Sequence, residues 1–295
     1  MKKLFFIISA IFLPFSSNAW EACGTDAQGN TANCEYQIDA SGTLTIRGTG
    51  DNGNIGYWYS SAQGDVIQPW KNKSFTNVVI EDTIKDLGSY GFCNITSINP
   101  VEIPSSVTSI SNQAFFSINA SEVIIPNSVT EIKDSAFNWS SIERITIPDS
   151  VTEIRGIFRG THLVDLVIPD SVTQITGDAL TKCASLKTLT IGENTLLENI
   201  FTDNNDPRTN TDISSLKIYC TGDTAKCDAN LAAAGYPELK TSKATTKQIN
   251  GVTYIYDKSG KLVTSSGHRS EKRIYTIEEA NAVAGDKNRV SIKYR

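Results

Sequence analysis

Apolar and polar residues alternate over short stretches of this chain, and between residues 101 and 188 one such pattern occurs four times. Each copy has two aliphatic residues separated by one residue, then a proline, then x-Ser-Val-Thr-x-Ile. Val123-Ile-Ile-Pro126-Asn-Ser-Val129-Thr-Glu-Ile132 is one example, and the four prolines are spaced 22, 22 and 21 residues apart. A fixed period of this size predicts a solenoid, because one repeat cannot bury its apolar face alone and must stack on its neighbours.

Each copy also predicts its own local structure. The two aliphatic residues point inward from a short strand with one outward residue between them, and the proline ends the strand because it has no N–H to donate. A large apolar residue follows the second apolar stretch of every copy, in the order Phe115, Phe137, Phe158 and Leu180. Weaker copies start near Val78 and Leu189, so we expect a β-rich solenoid of about six rungs over residues 78–236.

The flanking segments predict caps and an appendage. Two alternating runs joined by a Gly42 turn predict a β-hairpin that covers the first rung within residues 20–77. A short helix between Thr221 and Ala234 predicts a C-terminal cap. Residues 237–247 are polar and predict a linker, while residues 248–295 predict a basic appendage with a β-hairpin and a β-α-β-like segment.

The N-terminus predicts export. Residues 1–19 combine two lysines, a short apolar run and an Asn-Ala exit, which is typical of a signal peptide. No other stretch approaches the roughly 20 apolar residues of a membrane helix. We therefore expect a secreted or cell-surface protein, with the periplasm as a further possibility.

Export favours disulfides between nearby cysteines. We predict bridges between Cys23 and Cys34 and between Cys220 and Cys227, whose members are 11 and 7 residues apart. Cys93 and Cys183 fall in the first and fifth rungs, too distant for a bridge. They are expected to be buried free thiols; the alternative for either is a reactive nucleophile.

Charge divides the chain into two parts. Residues 20–239 contain 13 Lys and Arg against 27 Asp and Glu, whereas residues 240–295 contain 12 against 5. The acidic body argues against nucleic-acid binding. The basic tail has two interpretations. It attaches the chain to an anionic envelope surface or to another protein, or it is a solvated linker.

The phrase Ile125-Pro-Asn-Ser-Val-Thr-Glu-Ile-Lys-Asp-Ser-Ala-Phe137 resembles the BspA-type leucine-rich repeats of secreted and surface proteins. The segment from Cys23 through Gly50 is similar to the stretch that often precedes the first repeat of that family. The resemblance covers roughly residues 23–220. It implies a right-handed solenoid lined by strands, with a role in adhesion or protein binding.

Three classes of function are considered for this chain: an enzyme, a binding protein and a structural component. The two histidines, His162 and His268, have no metal-ligand spacing, and neither a G-x-S-x-G motif nor a P-loop occurs, so we expect no enzyme activity, cofactor or metal. Binding of a protein or cell-surface ligand through one solenoid face is favoured. The alternative is a structural envelope or matrix component anchored by the basic tail.

The expected binding face consists of outward residues that stacking brings into rows. The row on the first strands contains several aliphatic residues, which suggests a contact site, although β-propensity alone also explains them. A second row carries acidic residues. The predicted residues are Val79, Glu102, Ile124, Thr146, Val167 and Thr190 in the first row, and Glu131 and Glu153 in the second.

Overall fold

The N-terminal region consists of short strands in the computed structural model, which describes residues 19–96, 101–201, 211–249 and 252–266. Its strands are β1 (Glu21–Ala22), β2 (Cys34–Ile38), β3 (Thr43–Gly48), β4 (Gly53–Asn54), β5 (Tyr59–Ser60) and β6 (Asp65–Val66). β2 and β3 form the predicted hairpin, and β1 pairs with β2. Gly42 has φ +80° in the turn, a conformation that glycine adopts without strain. β3 then pairs in parallel with the first strand of the repeats, so the hairpin adjoins the start of the repeat region.

Each repeat contributes a first strand and a second strand. The first strands are β7 (Asn77–Ile80), β9 (Val101–Glu102), β11 (Glu122–Ile124), β13 (Arg144–Thr146), β15 (Asp165–Val167), β17 (Thr188–Ile191) and β19 (Lys217–Cys220). The second strands are β8 (Ile84–Asp86), β10 (Ser109–Ile110), β12 (Glu131–Ile132), β14 (Glu153–Arg155), β16 (Gln174–Thr176) and β18 (Leu196–Leu197). The strands of each set run parallel in the register that the sequence period predicts; Val123, for example, pairs with Val101 and with Ile145.

The serine of the repeated phrase links neighbouring repeats. The Oγ of Ser128 donates a hydrogen bond to the carbonyl of Val107, 2.6 Å away and one repeat earlier. Ser171 makes the equivalent bond to the carbonyl of Val151 at 2.9 Å. Because a buried carbonyl without a partner is costly, this hydroxyl explains why serine recurs at the position.

The core is filled by a column of aromatic rings. Ring centroids are 6.0, 5.2, 5.5 and 6.2 Å apart along the series Trp70, Phe92, Phe115, Phe137 and Phe158. All five side chains are fully buried. Leu180 takes the next buried position, so the large apolar residue of each repeat points into one continuous core.

A helix and a disulfide follow the last repeat strand. The helix α1 (Thr224–Ala233) begins after Asp223, whose carboxylate accepts a hydrogen bond from the N–H of Ala225 at 2.9 Å. Cys220 is bonded to Cys227, and the second disulfide joins Cys23 to Cys34.

Most of the segment predicted as a linker, from Thr241 onwards, is a strand instead. Three strands follow α1: β20 (Thr241–Ile249), β21 (Val252–Asp257) and β22 (Leu262–Ser266). β20 pairs in parallel with β19, which gives a six-stranded sheet in the order β15-β17-β19-β20-β21-β22. Threonine favours strands, and β20 can remain polar because β21 supplies the apolar residues of the pair. The predicted β-α-β-like segment after residue 266 lies outside the described residues.

Candidate protein-binding face

The first-strand row is aligned by the parallel pairing of the strands. Glu102, Ile124 and Thr146 occupy equivalent positions on β9, β11 and β13. Val167 and Thr190 do so on β15 and β17. The register therefore brings the predicted residues into a row along the stack.

The prediction that this whole row is exposed is wrong. Val79 is 42% exposed, Glu102 is exposed, and Ile124 and Thr146 are half-buried. In contrast, Val167 is only 7% exposed and Thr190 is 0% exposed. The accessible part of the row ends at Thr146.

The C-terminal strands cover the rest of the row. The six-stranded sheet curls back so that β22 lies close to β15. Inside this curl, Val167 packs with Ala244 and Ile255 in an apolar cluster of its own, with Tyr219 and Val263 against it. Burial of these apolar side chains is what holds the covering sheet over the row.

A groove opens at the edge of this cover. It has a volume of about 300 Å³ and lies between Thr146 and Val167 on one side and Thr246, Gln248 and Thr253 on the other. The sequence pattern did not predict that these three hairpin residues would lie here. Their only sequence signal is that Thr246 and Gln248 share the alternation of Ala244, which places them on the face of β20 that looks toward the repeats.

The acidic second row is exposed, as its charges require. Glu131 lies next to Ser109 on the neighbouring strand, whose Oγ donates to its carboxylate at 3.4 Å. Glu153 pairs in register with Gln174. The nearest ion pairs, Lys133 to Glu131 at 4.0 Å and Arg155 to Asp134 at 3.7 Å, involve exposed side chains. Such exposed ion pairs contribute little free energy, so the second row is the weaker candidate for a binding face.

The two free thiols are unsuited to nucleophilic chemistry. Cys93 and Cys183 are both buried and unbridged. Burial raises the pKa of each thiol to about 11, so the reactive thiolate is scarce near neutral pH. In the described part of the chain, no three His, Cys, Asp or Glu side chains are grouped to hold a metal ion. The described helix is not long and apolar enough to cross a membrane.

The match to a family model decides what kind of repeat this is. A model described as BspA type leucine-rich repeat region matches residues 68–187 and 155–215, with six copies. The chain belongs to the BspA-type leucine-rich repeat family. BspA-type proteins are typically found at the cell surface and are generally not enzymes. Membership of this family suggests a repeat protein of the surface or adhesion type.

Solved structures similar to this BspA-type chain come from bacteria. A leucine-rich repeat protein from Eubacterium ventriosum is 16% identical over 65% of this chain and 83% of its own, with a TM-score of 0.25. One from Bacteroides ovatus is 18% identical over 65% and 70%, also with a TM-score of 0.25. A leucine-rich cell surface protein from Faecalibacterium prausnitzii is 16% identical over 68% and 96%, with a TM-score of 0.18. These TM-scores are too low to support any conclusion about this chain, and a search among curated proteins gave no match.

Proposed function

We propose that this chain is exported by residues 1–19 and binds a protein or cell-surface ligand through the uncovered part of the first-strand row. That part comprises Glu102, Ile124 and Thr146, with Val79 at its N-terminal end. The repeats are proposed to form a right-handed solenoid of about six rungs, closed by the β2–β3 hairpin at one end and by α1 at the other. In this proposal, residues 20–77 are the N-terminal cap and residues 78–236 are the solenoid with its C-terminal cap.

One observation carries the proposal. Ile124 is an aliphatic side chain on the surface of a parallel sheet, between Glu102 and Thr146, and it is only half-buried. A partner that covered it would gain the free energy of burying an isoleucine side chain, up to about 1.5–3 kcal/mol. Glu102 and Thr146 would supply polar contacts around this apolar centre, the arrangement of a typical protein interface.

The test replaces Ile124 with lysine. The matched control is Leu196→Lys, because Leu196 is an exposed aliphatic residue on β18, in the second-strand set. Immobilised wild type and L196K are expected to retain the same partner from surface extracts, whereas I124K retains at least tenfold less, about 1.4 kcal/mol. Equal retention by a folded I124K variant would show that the row is not the binding face.

The alternative is a structural envelope component anchored by the basic tail. The strands β20, β21 and β22 occupy most of residues 241–266, so anchoring would fall to residues 267–295. A chain ending at Ser266 tests this without opening the cover over Val167. If the full-length chain is removed from intact cells by protease while the shortened chain is found in the medium, the tail is an anchor. If both are found in the same fraction, it is not.

A further inference from the structure

A second column of turn residues runs along a different side of the repeats. Its members follow the second strands and have left-handed backbone conformations, with φ between 57° and 69°. They are Asn94, Ser117, Trp139, Gly160 and Lys182. The N–H of each of the first four donates to a carbonyl in the next repeat, so the geometry repeats along the stack. Asparagine and glycine adopt this conformation readily, whereas a bulky side chain does so rarely.

Trp139 is the one aromatic residue in this column. It is 45% exposed, while Trp58 and Trp70 are buried. Its indole lies over Gly160: a Cβ built on that glycine would be 2.6 Å from Cε3 and 2.9 and 3.0 Å from the neighbouring ring atoms Cδ2 and Cζ3. These three similar distances place the glycine under the face of the ring, not at its edge. Any side chain at position 160 would displace the indole, so the chain accepts an unfavourable backbone conformation at Trp139 and a glycine beside it, and one ring is laid flat on its surface.

A cationic side chain lies over this ring. The Nζ of Lys182 is 5.5 Å from the indole centroid. The carbonyl of Arg159 accepts a hydrogen bond from the N–H of Trp139. The guanidinium of Arg159 lies 3.5 Å from the carboxylate of Asp178. A cationic ligand would be repelled by Lys182, whereas a ligand with a carboxylate would be attracted.

We propose that Trp139 and Lys182 form a binding site for the pyranose ring of a carboxylated sugar. The negatively charged face of an indole attracts the weakly positive C–H groups on one face of a pyranose. The ammonium of Lys182 then pairs with the sugar carboxylate through a charge-assisted hydrogen bond. This site lies in the turns after the second strands, so it is independent of the first-strand row that contains Ile124.

The test uses the folded chain and two probes, N-acetylneuraminic acid and glucuronic acid, with methyl glucoside as the neutral control. Binding is followed by saturation-transfer NMR and by tryptophan fluorescence. Trp139→Asn is the central variant because Asn94 occupies the equivalent turn position. Trp139→Phe keeps a smaller ring, Lys182→Gln removes the charge, and Ile124→Lys serves as a control on the other face.

We expect at least one acid to bind the wild type and I124K equally. W139N should weaken that binding by about tenfold or more, W139F should be intermediate, and K182Q should weaken it about threefold or more. The acid that binds identifies the source of the carboxylated sugar. Unchanged binding in W139N, or no binding of either acid to the wild type, would overturn the site. Equal affinity for methyl glucoside would overturn the role of the carboxylate.

Discussion

The aromatic column provides the sharpest test of how the repeats are held together. Phe115 stacks against two rings, Phe92 at 5.2 Å and Phe137 at 5.5 Å. Phe158 has a single ring neighbour in the column, Phe137 at 6.2 Å, because Leu180 takes the following position. Both phenylalanines are fully buried, so they differ mainly in the number of ring contacts.

Replacement of each by leucine separates these contacts from burial. A buried phenylalanine changed to leucine keeps most of its apolar contact and should cost about 1 kcal/mol through imperfect packing at either position. Each lost ring pair adds about 0.5–1.5 kcal/mol. We therefore expect F115L to cost roughly 2–4 kcal/mol and F158L roughly 1.5–2.5 kcal/mol. Leu180 shows that the column accommodates leucine.

The assay is urea unfolding followed by far-ultraviolet circular dichroism. The slopes of free energy against urea should agree between the variants, because a change in slope would signal a change in the surface exposed on unfolding. Phe115→Ala serves as an upper limit, at about 3–5 kcal/mol for the loss of the whole side chain. If F158L destabilises the chain as much as or more than F115L, ring stacking does not contribute as argued.

Two further predictions concern buried polar groups. The Oγ1 of Thr190 is buried and has no hydrogen-bond partner among the described residues, so Thr190→Val should raise the free energy of unfolding by about 1 kcal/mol. A loss of stability in the same urea assay would contradict this. The pKa of about 11 for Cys93 and Cys183 leaves each thiol protonated at pH 8 in the folded chain. Alkylation by iodoacetamide, measured by mass spectrometry, should be about 100-fold slower than in the urea-unfolded chain, and comparable rates would show that the thiols are accessible and ionised.

The repeat pattern could be predicted from the sequence because its information is local. The spacing from each isoleucine to the next large apolar residue identified Phe115, Phe137 and Phe158, and it located the one shortened repeat between Ile154 and Phe158. In the structure all these side chains point into the common core. A period of about 22 residues applies to every repeat, so an ambiguous position in one repeat can be assigned from the same position in the others.

The cover over Val167 could not be predicted in the same way. It depends on contacts between residues about 80 positions apart, and β20 carries little apolar signal beyond Ala244. The side-chain alternation predicts that Val167 and Thr190 lie on the outer side of their strands. It could not indicate that another sheet would pack there, because burial on that side comes from a segment without the repeat.

The cover also limits which shapes of partner would fit the proposed binding face. With Val167 and Thr190 buried, a partner on Ile124 meets the groove at Thr146 and then the hairpin residues Thr246 and Gln248. A flat face along the whole stack would favour long partners, since each further repeat that a partner covered would add similar contacts. A short face that ends at a wall instead favours a partner with a defined end or projection, because only such a shape can contact Ile124 and the wall together. The C-terminal strands therefore leave one position along the repetitive surface where a partner would contact both Ile124 and the hairpin.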